Sequence, residues 1–304
     1  MTKHIIYPPG VWALLARQWE RSLRAENKSH NTIHAYVQSL RLFGEWAHRQ
    51  SPNVQPTEVT SAHVRDFIAE LLDRTSPGNA HTNYRGLRTF WKWMVTEEEI
   101  EHSPMERTKP PHVPEKPIPI ISDSGIKALL DACRGNDFAA RRDTAIIRVL
   151  FDTGARLSEA ANLLIEDVDL DVDVIHVLGK GRRHRAIPFG PKTGQAITRY
   201  LRVRATHRGA DGNRLWLGSQ GPLGGEGVKQ MLERRGKAAG VPGLHAHRFR
   251  HTLAHTWQLN EGNETDLMRI MGWRSSEMLR RYGASAADER AHKAHRTLNL
   301  GERI

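Results

Sequence analysis

The sequence predicts a mainly α-helical protein with two domains, the second of which also holds a small antiparallel β-sheet. Before residue 104, apolar residues recur only at helical spacing. A segment with six prolines follows, and so many prolines exclude a helix. Beyond it, helical patterns lie on both sides of one hairpin pattern. We therefore expect two hydrophobic cores joined by a linker.

Four helices are expected in the first domain, residues 1–103. Each is indicated by apolar residues that would share one helix face, and Thr60 is well placed to cap the third helix. Polar or Gly- and Pro-containing stretches separate the four sets. The sets are Val11, Leu15, Trp19 and Leu23; Ile33, Tyr36, Leu40 and Phe43; Val64, Phe67, Ile68 and Leu71; and Leu87, Phe90, Trp91 and Met94.

The proline-rich segment, residues 104–121, is expected to be an extended linker. The second domain, residues 122–304, begins with two helical patterns, SGIKALLDACRG and RRDTAIIRVLFDTG. The stretch VDVIHVLGKGRRHRAIPF then reads as two strands joined by a tight Gly-Lys-Gly turn. After PLGGEG the pattern is helical nearly to the C-terminus.

Composition narrows the class of protein. The 304 residues carry a formal net charge of +11, with a pI of about 10.1, so the chain should attract polyanions, nucleic acid first. No stretch approaches the ~20 apolar residues of a membrane span, and the N-terminus lacks a signal-peptide core. The single cysteine, Cys133, excludes an internal disulfide and is expected in the core. We expect a cytoplasmic, nucleoid-associated protein without a membrane partner.

Arg156 is the first candidate for phosphate chemistry. Cleaving a phosphodiester without a metal requires a nucleophile, cations for the phosphoryl oxygens and a proton donor for the leaving 5'-oxygen. Arg156 follows Thr153 and Gly154, where one helix ends and another begins, so its guanidinium can project from a loop. Taken alone, an arginine at a helix junction is more often a surface or salt-bridged residue.

Lys180 lies in the predicted hairpin turn and is followed by Arg182, Arg183 and Arg185. This cluster suggests phosphate contacts, although a solvated hairpin turn is the simpler alternative. A lysine at such a tip is suited to donating a proton to a 5'-oxygen, because an ammonium group can lose a proton and a guanidinium effectively cannot.

A histidine-rich run contains His247, His251 and His255, four residues apart, which would share one face of a helix. A metal site is one interpretation, but no H-E-x-x-H pattern, cysteine pair or obvious carboxylate ligand accompanies the run, so we expect no metal. His247 and Arg250 are three residues apart, and an imidazole beside a guanidinium suits one phosphate.

Tyr282 follows the pair Gly272-Trp273 by nine residues and comes directly after Arg280 and Arg281. A phenol with a pKa of about 10 is a poor nucleophile at pH 7 unless cations or a base assist it. The two arginines are therefore expected to contact DNA near the tyrosine. Half-buried packing is the alternative for any single tyrosine.

In this order, the motifs resemble the tyrosine recombinase family, which includes phage integrases and the Xer recombinases. The resemblance covers residues from about 122 to the end, and the N-terminal helices look like the family's core-site-binding domain. The motifs are Arg156 in T-G-x-R-x-x-E, the hairpin Lys180, His247-x-x-Arg250-His251, Gly272-Trp273, and Tyr282.

The resemblance implies that Tyr282 attacks the scissile phosphate, giving a 3'-phosphotyrosyl bond and a free 5'-hydroxyl. The bond energy stays in the protein-DNA link, so ligation needs no ATP and no cofactor is expected. Arg156 and Arg250 would hold the non-bridging oxygens. Lys180 would be the general acid, and His247 would assist proton transfer at the tyrosine.

Three further residues have implied roles at this site. Glu159 and His251 look like the family's supporting residues, which orient the others. Trp273 departs from the pattern, because most members carry histidine there. An indole donates one hydrogen bond but cannot shuttle a proton, so we expect Trp273 to position and pack.

The resemblance also implies partners. A C-shaped clamp would surround a double-stranded DNA core site, and a homotetramer would assemble on two sites by exchange of the C-terminal helix. About ten residues precede the first helix, so we expect binding to core sites only. A directionality factor is a further partner that the resemblance implies.

Several functions share this chemistry. We expect a compact integrase of a phage or mobile element, and an Xer-like chromosome or plasmid resolvase is the alternative. A type IB topoisomerase would act as a monomer without a defined site. A DNA-binding protein that had lost catalysis should lack Tyr282 or an arginine, and a metal-dependent nuclease built on the histidine run would be abolished by chelator.

Overall fold

The computed structural model describes residues 4–50, 54–114, 118–179 and 183–302. The chain divides into two compact units, Met1–Lys116 and Pro117–Ile304. Helices dominate both, and the second unit contains a small antiparallel sheet, which confirms the predicted fold class. No helix in the described part of the chain combines the length and apolarity needed to cross a bilayer.

The described residues of the first unit form four α-helices, as the apolar spacing predicts. Thr60 caps the third, because its hydroxyl oxygen accepts a hydrogen bond from the backbone N–H of His63 at 3.4 Å. The core is aromatic, and Trp12 meets Trp91 edge-on with ring centroids 6.1 Å apart. The helices are α1 (Val11–Ala25), α2 (His30–Gln50), α3 (Ser61–Arg74) and α4 (Pro77–Thr96).

The two ends of the proline-rich segment pack on different units. Met105 is buried in the first core, and the hydroxyl of Tyr84 donates to the carbonyl of Thr108 at 2.8 Å. Ile121 is buried in the second core, and its backbone N–H donates to Thr252 Oγ1 at 2.9 Å. Residues of the expected linker 104–121 therefore belong to both hydrophobic cores.

The second unit places a small sheet among eight described helices. The strands are β1 (Val168–Asp169), β2 (Val174–Gly179) and β3 (Arg183–Pro188), in antiparallel order β1-β2-β3, and a separate pair, β4 (Leu217–Gly218) and β5 (Gly221–Pro222). The helices are α5 (Asp123–Asp131), α6 (Phe138–Thr153), α7 (Leu157–Ala161), α8 (Pro191–Arg204), α9 (Gly225–Ala238), α10 (Ala246–Leu259), α11 (Glu264–Met271) and α12 (Ser276–Leu298).

The predicted hairpin is formed by β2 and β3, with Gly179 paired to Arg183. Its inner face joins the main core through Ile175 and Ile187, which pack with residues of α6. Cys133 is also buried in this core, as predicted, and burial raises the pKa of its thiol to about 11.

A smaller apolar cluster joins α10, α11 and the start of α12. It contains Leu267, Met271, Trp273 and Leu279. Because Trp273 is part of this cluster, the Gly-Trp motif links the histidine-bearing helix to the helix whose backbone includes position 282.

Candidate active site

The turn before Arg156 depends on Gly154. This glycine ends α6 in the left-handed region, at φ +57°. A Cβ atom there would lie 2.9 Å from Leu253 Cδ2 in α10, so both the backbone conformation and the space favour glycine. The chain then reverses, and Arg156 becomes the residue that precedes α7. The Thr-Gly motif thus brings Arg156 close to α10.

Arg250 is fixed by the backbone of two other segments. One terminal nitrogen donates to the carbonyl of Gly154 at 2.8 Å, and the other donates to the carbonyl of Met271. The guanidinium carbon lies 5.4 Å from the centroid of the Trp273 ring, within the range of a cation–π contact. Only 2% of Arg250 is exposed, so this cation is held in place before any ligand arrives.

His247 and His251 lie on α10 as the four-residue spacing predicts. Their rings meet edge-on with centroids 4.7 Å apart; His247 is exposed and His251 is buried. His255, one turn further, lies with its Nε2 3.5 Å from Glu289 Oε2. In the residues that the structure describes, no group of three or more potential ligand side chains is arranged to hold a metal ion.

Four of the predicted catalytic residues line one cleft of about 590 Å³. They are Arg156, His247, Arg250 and Trp273, which come from three separate parts of the sequence. Lys229 of α9 also lines this cleft and was not predicted. Sequence reasoning missed it because a lysine on a helix resembles an ordinary solvated position. Cationic or ionisable side chains therefore line the cleft together with apolar ones.

Glu159 lies behind this cleft as a buried carboxylate, with 3% of its side chain exposed. Its Oε1 accepts from an Arg156 terminal nitrogen at 2.8 Å, and its Oε2 accepts from the Arg156 backbone N–H at 2.8 Å. Burial alone would raise the pKa of this carboxyl, but hydrogen bonds from Arg185 and Arg156 outweigh it and lower the pKa to about 2. Glu159 is therefore ionised at neutral pH and hydrogen-bonded to Arg156, while the supporting role expected for it in catalysis stays a prediction.

Arg185, assigned from the sequence to DNA contact, is turned into the protein. Its guanidinium forms a two-point ion pair with Glu159 at 2.8 and 2.9 Å, and Nε donates to the carbonyl of Ile270 at 2.9 Å. Only 14% of the side chain is exposed. Arg185 therefore has intramolecular partners in this structure, and the phosphate contact expected from the sequence stays a prediction.

The remaining predicted residues lie wholly or partly outside the described part of the chain. Lys180 and Arg182 lie outside the described residues. The backbones of Arg183, Arg280, Arg281 and Tyr282 belong to β3 and α12, whereas their side chains lie outside the described part.

Both parts of the chain are similar in sequence to known proteins. Residues 120–289, more than half of the chain, match the phage integrase family, and residues 15–101 match the N-terminal SAM-like domain of phage integrases. The chain belongs to the phage integrase family. This integrase-family chain has relatives that are tyrosine recombinases, so the enzyme class predicted from the ordered motifs is confirmed.

Similarity extends over most of the integrase-family chain. Tyrosine recombinase XerC of Bacillus subtilis is 32% identical over 247 residues, which cover 78% of this chain and 80% of the relative. XerC of Ralstonia pickettii is 27% identical over 288 residues, covering 87% and 85%. The crystal structure of XerH bound to a palindromic difH substrate shares the fold, with a TM-score of 0.71, 16% identity, and coverage of 95% of this chain and 85% of that one.

Proposed function

We propose that this tyrosine recombinase cuts and rejoins DNA strands at a defined site, with Tyr282 as the nucleophile. The observation that carries the proposal is the cleft in which Arg156, His247, Arg250 and Trp273 converge. Two guanidinium groups beside an imidazole form an arrangement that stabilises charge on a phosphoryl group during an in-line displacement.

The reaction assigns a separate task to each group. The Tyr282 oxygen attacks the scissile phosphorus and becomes linked to the 3'-phosphate, while the 5'-oxygen leaves. Arg156 and Arg250 stabilise the non-bridging oxygens, Lys180 gives its proton to the leaving oxygen, and His247 accepts the tyrosine proton. Ligation reverses these steps, so the enzyme itself needs no energy source.

Trp273, Glu159 and His251 complete the proposed site. Trp273 packs its ring near the Arg250 guanidinium and offers an indole N–H to a phosphate oxygen. Glu159 orients Arg156, and His251 lies edge-on to His247 and limits its rotation. None of the three transfers a proton to or from the DNA.

Double-stranded DNA is the proposed substrate. The net charge of +11 favours a polyanion, and XerH, which shares the fold, was crystallised with a palindromic substrate after cleavage. Arg182, Arg183, Arg280 and Arg281 would add phosphate contacts. The same proposal includes a C-shaped clamp around the DNA and a homotetramer that assembles on two core sites. It also includes a directionality factor as a partner.

Two biological roles fit this chemistry. The integrase of a phage or mobile element is the first, with DNA beside the gene as its target. Chromosome or plasmid resolution is the second, and it is favoured by the similarity to XerC over 78–87% of the chain. The two roles predict different target sequences.

Trapping a covalent adduct tests the chemistry and the role together. The full chain and its Tyr282→Phe variant are incubated in EDTA with a nicked duplex library made from both the flanking DNA and the host chromosome. A nick lets the short leaving strand diffuse away, so that ligation cannot reverse cleavage. We expect a chelator-resistant protein-DNA species from the wild type alone, and sequencing of its DNA identifies the role.

Tyr36→Phe is the matched control, because it removes a phenol while keeping the ring that stacks on Trp19. It should form the adduct like the wild type. Free cut ends that need added metal would instead indicate a nuclease, and adducts at no defined sequence, with relaxation of supercoiled DNA by a monomer, would indicate a type IB topoisomerase.

A further inference from the structure

One buried carboxylate joins two arginines with different surroundings. Glu159 binds Arg156, whose side chain is 38% exposed beside the cleft, and Arg185, whose side chain is 14% exposed. Each nitrogen of the Arg185 guanidinium donates a hydrogen bond into the protein, two to Glu159 and one to the carbonyl of Ile270. A planar fork that matches a carboxylate in this way defines the orientation of both groups.

Arg185 also connects three segments that carry site residues. It lies on β3, which follows Lys180 in the sequence. Its fork reaches Glu159 in α7, and its Nε reaches the end of α11. Gly272 leaves room for this contact, since a Cβ atom there would lie 3.3 Å from the Arg185 guanidinium carbon. The glycine of the Gly-Trp motif therefore permits close approach of Arg185.

We propose that Arg185 is a positioning residue for strand cleavage, which fixes Glu159 and through it orients Arg156, and that it does not contact DNA phosphate. The inference rests on the proposed function, because it takes Arg156 as a ligand of the scissile phosphate. It concerns a residue whose role neither the motif order nor the resemblance supplied.

Charge explains why the second arginine matters. Arg156, Arg185 and Glu159 together carry one net positive charge. Without Arg185, Arg156 and Glu159 neutralise each other, and the buried carboxylate draws the Arg156 guanidinium away from the cleft. The scissile phosphate would then lose most of the stabilisation that Arg156 provides.

The test separates binding from chemistry. Arg185→Met is compared with Arg185→Lys in the full chain, and with Arg199→Met, an exposed arginine on α8, as the control. On the duplex that the wild type cleaves, we expect Arg185→Met to slow single-turnover adduct formation by about 10- to 100-fold. DNA affinity and its dependence on salt should stay at the wild-type level, and Arg185→Lys should recover part of the rate.

A double-mutant cycle tests whether Arg185 acts through Arg156. In an Arg156→Ala background, Arg185→Met should add little further loss, because the residue it orients is already gone. If Arg185 had only a structural role, the rate losses caused by the two substitutions would multiply. Unfolding midpoints of all variants are measured first, and rates are compared well below them.

The possible outcomes distinguish a failure of the role inferred for Arg185 from a failure of the proposed function. A weaker affinity for Arg185→Met, with a salt slope reduced by about one, would restore the phosphate-contact role and overturn the inference. A normal rate for Arg185→Met, or losses that multiply with Arg156→Ala, would overturn it while leaving the proposed function intact. Failure of the wild type itself to form an adduct would overturn both.

Discussion

The cationic residues of the cleft differ in how firmly each is held. Arg250 is buried and bonded to the carbonyls of Gly154 and Met271, whereas Arg156 is half-buried and oriented by Glu159. An electrostatic group that is already in place stabilises a transition state without reorganising during the reaction. Arg250 should therefore tolerate substitution least.

Arg250→Lys tests this expectation. A lysine keeps the charge but cannot donate to Gly154 and Met271 with the same fork while also facing a phosphate. We expect single-turnover cleavage to fall by about 100-fold or more, at the scale of a lost transition-state donor. Arg199→Lys on the exposed face of α8 is the control and should keep the wild-type rate. A variant that cleaves within a few-fold of wild type would contradict this role for Arg250.

Glu159 makes a pH-dependent contribution to stability. Its pKa in the folded chain is about 2, below the ordinary value of 4.5. A lowered pKa stabilises the fold above the ordinary value, and this contribution is lost as the pH falls from about 5 towards 2. A pKa difference of this size corresponds to about 3 kcal/mol of unfolding free energy at neutral pH.

Urea unfolding of wild type and Glu159→Gln measures this contribution directly. The variant should be less stable at pH 7, and the difference between the two proteins should shrink by pH 3. Glu233→Gln, on the exposed face of α9, controls for the loss of one surface carboxylate. A difference that does not change between pH 7 and pH 3 would show that the ion pairs of Glu159 do not stabilise the fold.

Sequence patterns predicted residues that line the cleft better than they predicted the hydrogen bonds around them. Arg156, His247 and Arg250 were predicted because the chemistry needs those residue types within recognisable motifs. The inward turn of Arg185 was not predicted, because it depends on β3 packing near α7 and α11, and Ile270 lies 85 residues away in sequence. A cluster of arginines after a turn looks the same whether its members face DNA or the core.

At the scale of elements, the glycine-ended turns position the site. Gly154 ends α6 and Gly272 ends α11, both in the left-handed region, and the carbonyls of Gly154 and Met271 both accept from Arg250. These helix ends therefore do more than reverse the chain, because their carbonyl groups fix a proposed catalytic cation.

Gly154→Ala should disturb both stability and catalysis. The new Cβ atom meets left-handed backbone strain and lies 2.9 Å from Leu253. Gly240→Ala is the matched control, since Gly240 has φ +68° but no atom of the described residues would lie within 4 Å of its Cβ. We expect Gly240→Ala to cost about 1 kcal/mol of unfolding free energy and Gly154→Ala clearly more, with slower cleavage. Equal losses of unfolding free energy in the two variants would mean that the Leu253 side chain moves aside easily.

The sequence did not predict which residues of the proline-rich segment are buried in each core. Prolines excluded a helix, but they gave no sign that Met105 enters the first core or that Ile121 enters the second. Arg248 strengthens the second attachment, because its guanidinium donates to the carbonyls of Pro119 and Ile120. Such contacts join residues more than a hundred positions apart, beyond the reach of local patterns.

At the scale of the whole molecule, the net charge of +11 favours binding to a polyanion. A protein that neutralises several phosphates releases counterions, so its affinity falls steeply as salt rises. We expect the affinity for a duplex without the target site to drop by at least about 10-fold between 50 and 200 mM salt. The affinity is measured by fluorescence anisotropy. An affinity that does not change with salt over this range would contradict an interface built on phosphate contacts.

The central claim is that Tyr282 becomes covalently linked to DNA. The most direct measurement is mass spectrometry of the trapped adduct after nuclease and trypsin digestion. Cleavage after Arg281 and Arg290 releases residues 282–290, YGASAADER, which contain one tyrosine. We predict that this peptide carries the mass of the attached nucleotide at Tyr282. A nucleotide on any other residue would contradict the account.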